Sequence, residues 1–171
     1  MTYDLNNFHA RALIGHKSEV RVAQLLRYWG YDVADPVYEL QREGRTRALI
    51  EDFGRNQKDL EIMGIYLEVK SRTLSFTSRA DYPYQTCLLE TVSGYEKKAK
   101  KPEVYVVVSQ PTGAILCVDA RDMKKFAIEE KVDRSRNLKD RWYSAPKALL
   151  RPHTWLEGYL ASRCDHTTKV V

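Results

Sequence analysis

The chain has 171 residues, a net charge of +5 and three widely separated cysteines, Cys87, Cys117 and Cys164. That length supports a single domain, residues 1–171, with a real core, and an odd, scattered set of cysteines matches neither a disulfide framework nor zinc-ligand spacing. The longest apolar run, residues 104–108, is too short to span a bilayer and no basic-then-apolar segment opens the chain, so a reducing, cytoplasmic setting without membrane contact is expected.

Residues 4–30 predict a helix, either continuous or in two pieces. Phe8, Ala12 and Leu13 form a short apolar stripe, Gly15 interrupts it, and Val20, Ala23 and Leu26 resume the helical spacing before Gly30. Ser18 is a plausible N-cap for a second piece, which would put Glu19 in its first turn at the positive end of the helix dipole. Residues 31–34 read as a short extended stretch ended by Pro36. Within residues 37–55, residues 37–40 allow an extended stretch and residues 41–47 are polar and turn-like. The arginines of 37–55, Arg42, Arg45, Arg47 and Arg55, either reach a substrate phosphate or pair with Glu43, Glu51 and Asp52.

Residues 56–71 carry the strongest pattern. Leu60 and Ile62 alternate with Asp59 and Glu61, then Ile65, Leu67 and Val69 alternate with Tyr66, Glu68 and Lys70, around the break Met63-Gly64. Period-2 alternation about a two-residue, glycine-containing break predicts a hairpin. Counting from the turn sets Ile62 opposite Ile65, Glu61 opposite Tyr66, Leu60 opposite Leu67 and Asp59 opposite Glu68. One face is then core, and the other brings two carboxylates together beside Lys70. Opposed carboxylates repel unless something positive lies between them, and Mg2+ is satisfied by one or two carboxylates plus waters and phosphate oxygens.

Asp59, a nine-residue step, then Glu68-Val69-Lys70 at the end of a hairpin resembles the core motif of the PD-(D/E)XK nuclease superfamily. The family's leading proline is replaced here by Lys58. The resemblance implies a restriction-endonuclease-like α/β fold: a central mixed β-sheet flanked by α-helices in the order α-β-β-β-α-β, over residues 6–120. It implies a Mg2+ site (Mn2+ substituting) made by Asp59, Glu68 and the Val69 carbonyl, with Lys70 as the catalytic lysine. Gly15-His16-Lys17-Ser18-Glu19 looks like the family's N-terminal helix motif. In that light Glu19 is a catalytic residue, an outer metal ligand or the holder of a metal-bound water. Glu61 or Glu19 could support a second metal.

Downstream, Ser71-Arg72-Thr73 extends the second strand and residues 75–83 form a polar connection. Arg72 and Arg79 are candidate DNA contacts there, and Tyr82 or Tyr84 either stacks on a base or simply packs. Residues 87–101 predict a helix carrying Glu90 and Glu96 and ending in Lys97, Lys98, Lys100 and Lys101, although Gly94 sits awkwardly within it. Residues 104–109 are the clearest buried strand, and Pro111-Thr112-Gly113 turns the chain into a partner over 114–118.

Residues 121–171 hold 12 Lys and Arg against 7 Asp and Glu, the whole surplus of +5. This basic C-terminal extension predicts a short helix at 121–126, a polar segment and a final amphipathic helix at 155–163. Arg134, Arg136, Lys139 and Arg141 lead into Trp142 and Tyr143, a mixture suited to a DNA surface, whereas Trp142 and Trp155 equally suit a helical cap on the sheet. The expected activity is metal-dependent hydrolysis of DNA phosphodiesters. The alternatives are a structure-selective enzyme such as a Holliday-junction resolvase or a repair, recombination, restriction or homing-type nuclease, a non-catalytic DNA-binding module of the same fold, and a structural or protein-interaction role. A homodimer would favour paired cuts, and the small size suits a phage or mobile element. No histidine lies in a hydrolase motif and no glycine-rich phosphate loop occurs.

Overall fold

The computed structural model describes residues 5–33, 59–133 and 138–163. Met63 and Gly64 both have positive φ, 48° and 81°, and turn the chain tightly between β1 (Leu60–Ile62) and β2 (Ile65–Arg72). Two positive φ values make the mirror-image turn whose twist suits a hairpin. The register is the one counted from the sequence: Ile62↔Ile65, Glu61↔Tyr66 and Leu60↔Leu67. The ladder stops there, because Asp59 lies outside the strand.

β2 does not have the solvated face that simple alternation predicts. Tyr66, Leu67, Glu68 and Val69 are all buried. β4 (Val104–Ser109) lies parallel to β2, with Glu68 opposite Tyr105 and Lys70 opposite Val107. β4 is buried along its whole length, as its β-branched run requires of a strand covered on both sides. β5 (Ile115–Asp119) pairs antiparallel with β4, and the two-residue β8 (Arg151–Pro152) closes a five-stranded sheet in the order β1-β2-β4-β5-β8.

One face of this sheet presents Leu60, Ile62, Leu67, Val69, Val104 and Val106 to α1 and α3. The first, α1 (Leu5–Tyr28), is one unbroken helix of 24 residues that contributes Val22, Ala23 and Leu26. The two-piece alternative is thereby set aside. Ser18 is not an N-cap but a buried mid-helix residue whose hydroxyl donates to Ser71 Oγ at 2.9 Å, fixing α1 against β2. Glu19 therefore has no first-turn role in the dipole. At the other end of the chain, α3 (His153–Arg163) buries Leu156, Tyr159 and Leu160, and Trp155 packs half-buried on the same core. Each such side chain contributes about 1.5–3 kcal/mol, as an upper estimate.

The opposite face carries Tyr105, Val107, Leu116 and Val118, and a second sheet covers it. Three strands form it in the order β3-β7-β6: β3 (Thr86–Thr91), β6 (Ala127–Asp133) and β7 (Leu138–Pro146). Here the sequence expectation is corrected. Residues 87–101 are not one helix. Cys87 and Leu89 are fully buried while Thr86, Leu88 and Glu90 are half-exposed, a period of two that β7 stabilises by pairing. Only α2 (Val92–Lys97) is helical, capped by Thr91, whose side chain accepts the Gly94 N–H. Among the described residues the elements run α-β-β-β-α-β from α1 to β4, but β3 has left the main sheet and residues 31–33 form no strand.

The C-terminal third is likewise more than a polar extension. After a 3-10 helix (Ala120–Lys125) it forms the β6–β7 hairpin, pairing Ile128 with Tyr143 and Glu130 with Arg141, and then supplies β8 and α3. Arg42, Arg45, Arg47, Arg55, Arg134 and Arg136 lie outside the described residues. None of the described helices is long and apolar enough to cross a membrane.

The β4–β5 turn locks onto α1 through Gly113, whose φ is +71° and whose carbonyl accepts Arg21 Nε at 2.8 Å. A Cβ there would lie 2.5 Å from the Arg21 guanidinium. Gly113→Ala is expected to cost about 1–2 kcal/mol from the left-handed backbone alone. Urea unfolding checks this, with the same substitution in an Arg21→Ala background as the comparison that removes the contact but keeps the strain.

Candidate active site

The turn geometry that sets the β1–β2 register also positions the site. Just past the Leu60↔Leu67 pair, the Asp59 side chain takes over from the backbone and accepts the Val69 N–H at 2.7 Å. Asp59 is therefore anchored one residue beyond its expected partner Glu68. α1 brings Glu19 in from the side: it is buried, 3.8 Å from His16 Nδ1, and its negative charge acts on Asp59. Asp59, Glu19, Glu68 and Lys70 thus come from three segments and influence one another electrostatically.

Glu68 is 4 % exposed in the middle of β2. Both of its oxygens are engaged. Lys70 Nζ donates to Oε1 at 2.6 Å, Lys98 Nζ lies 3.1 Å from Oε1 and 3.0 Å from Oε2, and the Tyr66 hydroxyl donates to Oε2. Glu90 joins from β3, with Oε2 3.3 Å from Lys70 Nζ and 3.4 Å from Lys98 Nζ. Two carboxylates and two ammonium groups therefore alternate in one half-buried cluster. The β3–β7 register slips between Leu88 and Glu90, and such a bulge re-aims the side chain beside it.

Nothing in the motif's spacing marks Glu90 or Lys98 as a site residue. Read as part of a helix, Glu90 had no defined direction. The available signal was the alternation of residues 86–90, which marks a strand. Tyr105, opposite Glu68 on β4, is the other addition. It is fully buried, and its hydroxyl has no hydrogen-bond partner among the described residues.

The two acidic groups of the motif are pushed apart. Burial, then the charges of Glu68 and Glu19, raise Asp59 well above the usual carboxylate range against the pull of Lys70 and the Val69 N–H. Burial also works on Glu68, but Lys70 and Lys98 outweigh it and hold Glu68 low. Lys70 is desolvated, yet Glu68, Glu90 and Asp59 together keep its ammonium group above the ordinary lysine value. Tyr66 is driven up by burial and by Glu68 and Asp59, so it remains a neutral donor.

No group of three or more His, Cys, Asp or Glu side chains among the described residues stands ready to hold a metal ion, so Asp59, Glu68 and Glu19 do not form a three-carboxylate cage. The donor set nonetheless fits Mg2+, which needs only one or two carboxylates beside waters. The convergence of negative charge that raises Asp59 is the condition a cation relieves. The third expected ligand, the Val69 carbonyl, belongs to the residue whose N–H holds Asp59.

The expected DNA-binding residues are mostly engaged in the protein. Arg72 donates to the carbonyls of Leu88 and Ser71, tying β2 to the slipped part of β3. Arg79 is exposed and reaches the Ala148 carbonyl at 3.3 Å. Lys139 pairs with Glu130, and Arg141 lies opposite Glu130 on the hairpin. Tyr82 is buried against Phe76, so of the two stacking candidates only Tyr84 remains exposed. Comparison with protein-family models, curated proteins and solved structures returns no match.

A carboxyl raised on folding contributes stability that is complete below its unfolded value, 3.8, and is lost as pH rises through the folded one. Asp59 should therefore lower the stability of the metal-free protein near neutral pH, where the unfolded chain's carboxyl is ionised. Asp59→Asn, which can still accept the Val69 N–H, is expected to raise the melting temperature in EDTA at pH 7, by about 2–4 °C per kcal/mol gained. The gain should fade below about pH 4. Thermal melts across pH check it, and a lower melting temperature at pH 7 would contradict the assigned repulsion.

Proposed function

We propose that this protein is a metal-dependent DNA endonuclease of restriction-endonuclease-like type, hydrolysing phosphodiester bonds at the end of the β1–β2 hairpin. The observation that carries the reading is the convergence of Asp59 and Glu68 with a cationic Lys70, joined by Glu19 from α1. The succession α1-β1-β2-β3-α2-β4 supports the same fold, although β3 pairs in the second sheet.

Asp59, Glu68 and the Val69 carbonyl would hold the divalent cation. When bound, Mg2+ or Mn2+ supplies Lewis-acid polarisation of a phosphoryl oxygen and a lower pKa for water. The chain's own residues do the rest. Lys70 stays protonated and so does not act as a general base. Its ammonium group orients the attacking water and offsets the negative charge that develops on the phosphorane oxygens. The Val69 N–H fixes the direction of the Asp59 carboxylate, and Glu19 acts on Asp59 through its charge. Glu90 shares Lys70 with Glu68 and so helps to set where the ammonium group lies.

One observation favours a second reading. Glu68 already has both oxygens bonded within the protein, as in an ion cluster that only joins the two sheets. The two readings separate on supercoiled, linear, branched and single-stranded DNA incubated with Mg2+, Mn2+ or EDTA. Metal-dependent cleavage is expected, abolished in Glu68→Ala, and the order of substrates distinguishes a junction-selective enzyme from a general one. Lys70→Ala is expected to lower the cleavage rate by about 10²-fold or more, the scale of losing one transition-state donor, while DNA binding in Ca2+ stays near wild type. Undiminished cleavage by Lys70→Ala sinks the catalytic assignment, and no cleavage by the wild type on any substrate leaves the structural cluster.

A further inference from the structure

Lys98, like Glu90, belongs to this cluster without being part of the nuclease motif. It stands at the C-terminal end of α2, with its backbone N–H bonded to the Tyr95 carbonyl and its own carbonyl accepting Lys101 Nζ at 2.6 Å. Its side chain is held at one end and reaches across to Glu68 and Glu90. The neighbouring lysines do other work. Lys101 bonds the last carbonyls of α2, Lys100 pairs with Glu61 and the Gly64 carbonyl, and Lys97 is exposed.

Lys70 and Tyr66 each use one lone pair on a different Glu68 oxygen and Lys98 takes the remaining one on each, so a cation reaches Glu68 only when one of these donors leaves. Lys70 leaves that position least readily, since it shares β2 with Glu68 and β4 pairs with both residues. Lys98 comes from outside the sheet on four methylenes, and its side chain is 21 % exposed, so it has both a route and a solvent-side destination. The buried Tyr105 hydroxyl, within electrostatic reach of Glu90 and Glu68, is a donor that no described residue uses.

We infer that Lys98 is an exchangeable counterion: it neutralises Glu68 in the metal-free protein, and yields that carboxylate to a divalent cation to bind a DNA phosphate itself. The inference rests on the metal-dependent reading above and adds a substrate-positioning residue to it. Cation and DNA binding are then coupled through one side chain, and the coupling must be reciprocal. The buried carboxylate is never left without a positive partner, which would be the costly alternative.

The test uses Ca2+ alone and then a double-stranded DNA oligonucleotide, so that binding is read without turnover. By calorimetry, Lys98→Met is expected to bind Ca2+ about three- to tenfold tighter than wild type, between the scales of an exposed ion pair and a buried charged hydrogen bond. Lys98→Arg, which keeps the charge, should bind Ca2+ no tighter than wild type. In saturating Ca2+, Lys98→Met should bind the oligonucleotide more weakly, with a salt dependence shallower by about one ion. Lys97→Met controls for general loss of charge and should leave Ca2+ affinity unchanged.

Wild-type Ca2+ binding that Lys98→Met leaves unchanged or weakens overturns the exchange, as does an equal tightening in Lys97→Met. Tighter Ca2+ binding with undiminished DNA affinity overturns the transfer to phosphate. If neither wild type nor Lys98→Met binds Ca2+, the metal-dependent reading fails together with the exchange.

Discussion

A carboxylate in the middle of a strand that is buried on both faces is the constraint around which this molecule is arranged. Glu68 has protein above and below it, with β4 paired along one edge and the anchored Asp59 just past the end of β1 on the other. Such a group is tolerated only if its charge is matched and its lone pairs are used. Lys70, Lys98 and Tyr66 meet that requirement, and the two lysines in turn draw in Glu90. A purely structural strand would achieve equal stability with apolar side chains, because buried ion pairs rarely outperform well-packed hydrophobic replacements. Strongly perturbed ionisable groups collect at functional sites, and this cluster coincides with the Asp59 and Glu68-Val69-Lys70 motif.

The cluster is also electrically uneven. On one side Asp59 faces Glu68 and Glu19 and is driven upwards. On the other side Glu68 faces two ammonium groups and is held low. Carboxyl groups separated in this way by their surroundings suit them to different tasks within one site. The division follows from where each is attached: Asp59 leans on a backbone N–H at the end of β1, whereas Glu68 looks across the sheet towards β3 and the end of α2.

The second sheet matters because it supplies that far wall. β3 brings Glu90 in beside its register slip, and Arg72 fastens β2 to the same place through the Leu88 carbonyl. β7 holds β3 in position, with Tyr143 opposite Glu90 and packed edge-on against Tyr95 of α2. The C-terminal third therefore does not simply add basic charge. It completes both sheets and, through α3, the helical layer.

By itself the sequence determined the local structure. The Met63-Gly64 break set the hairpin register, the nearly continuous run of β-branched residues marked β4 as central, and the spacing of Asp59, Glu68 and Lys70 pointed to the candidate site. These patterns are periodic and short-range, so neighbouring residues are enough to read them. Tertiary structure decided what depends on distant partners. Residues 87–91 became a strand because β7 was there to pair with them, Ser18 became a helix-to-sheet tie because Ser71 lay opposite, and Lys98 entered the site because Glu68 and Glu90 attracted it from across two sheets. No local pattern carries that information: a lysine at a helix end looks the same in sequence whether it faces water, a carbonyl or a buried carboxylate. The free energy that chooses among them comes from side chains tens of residues away.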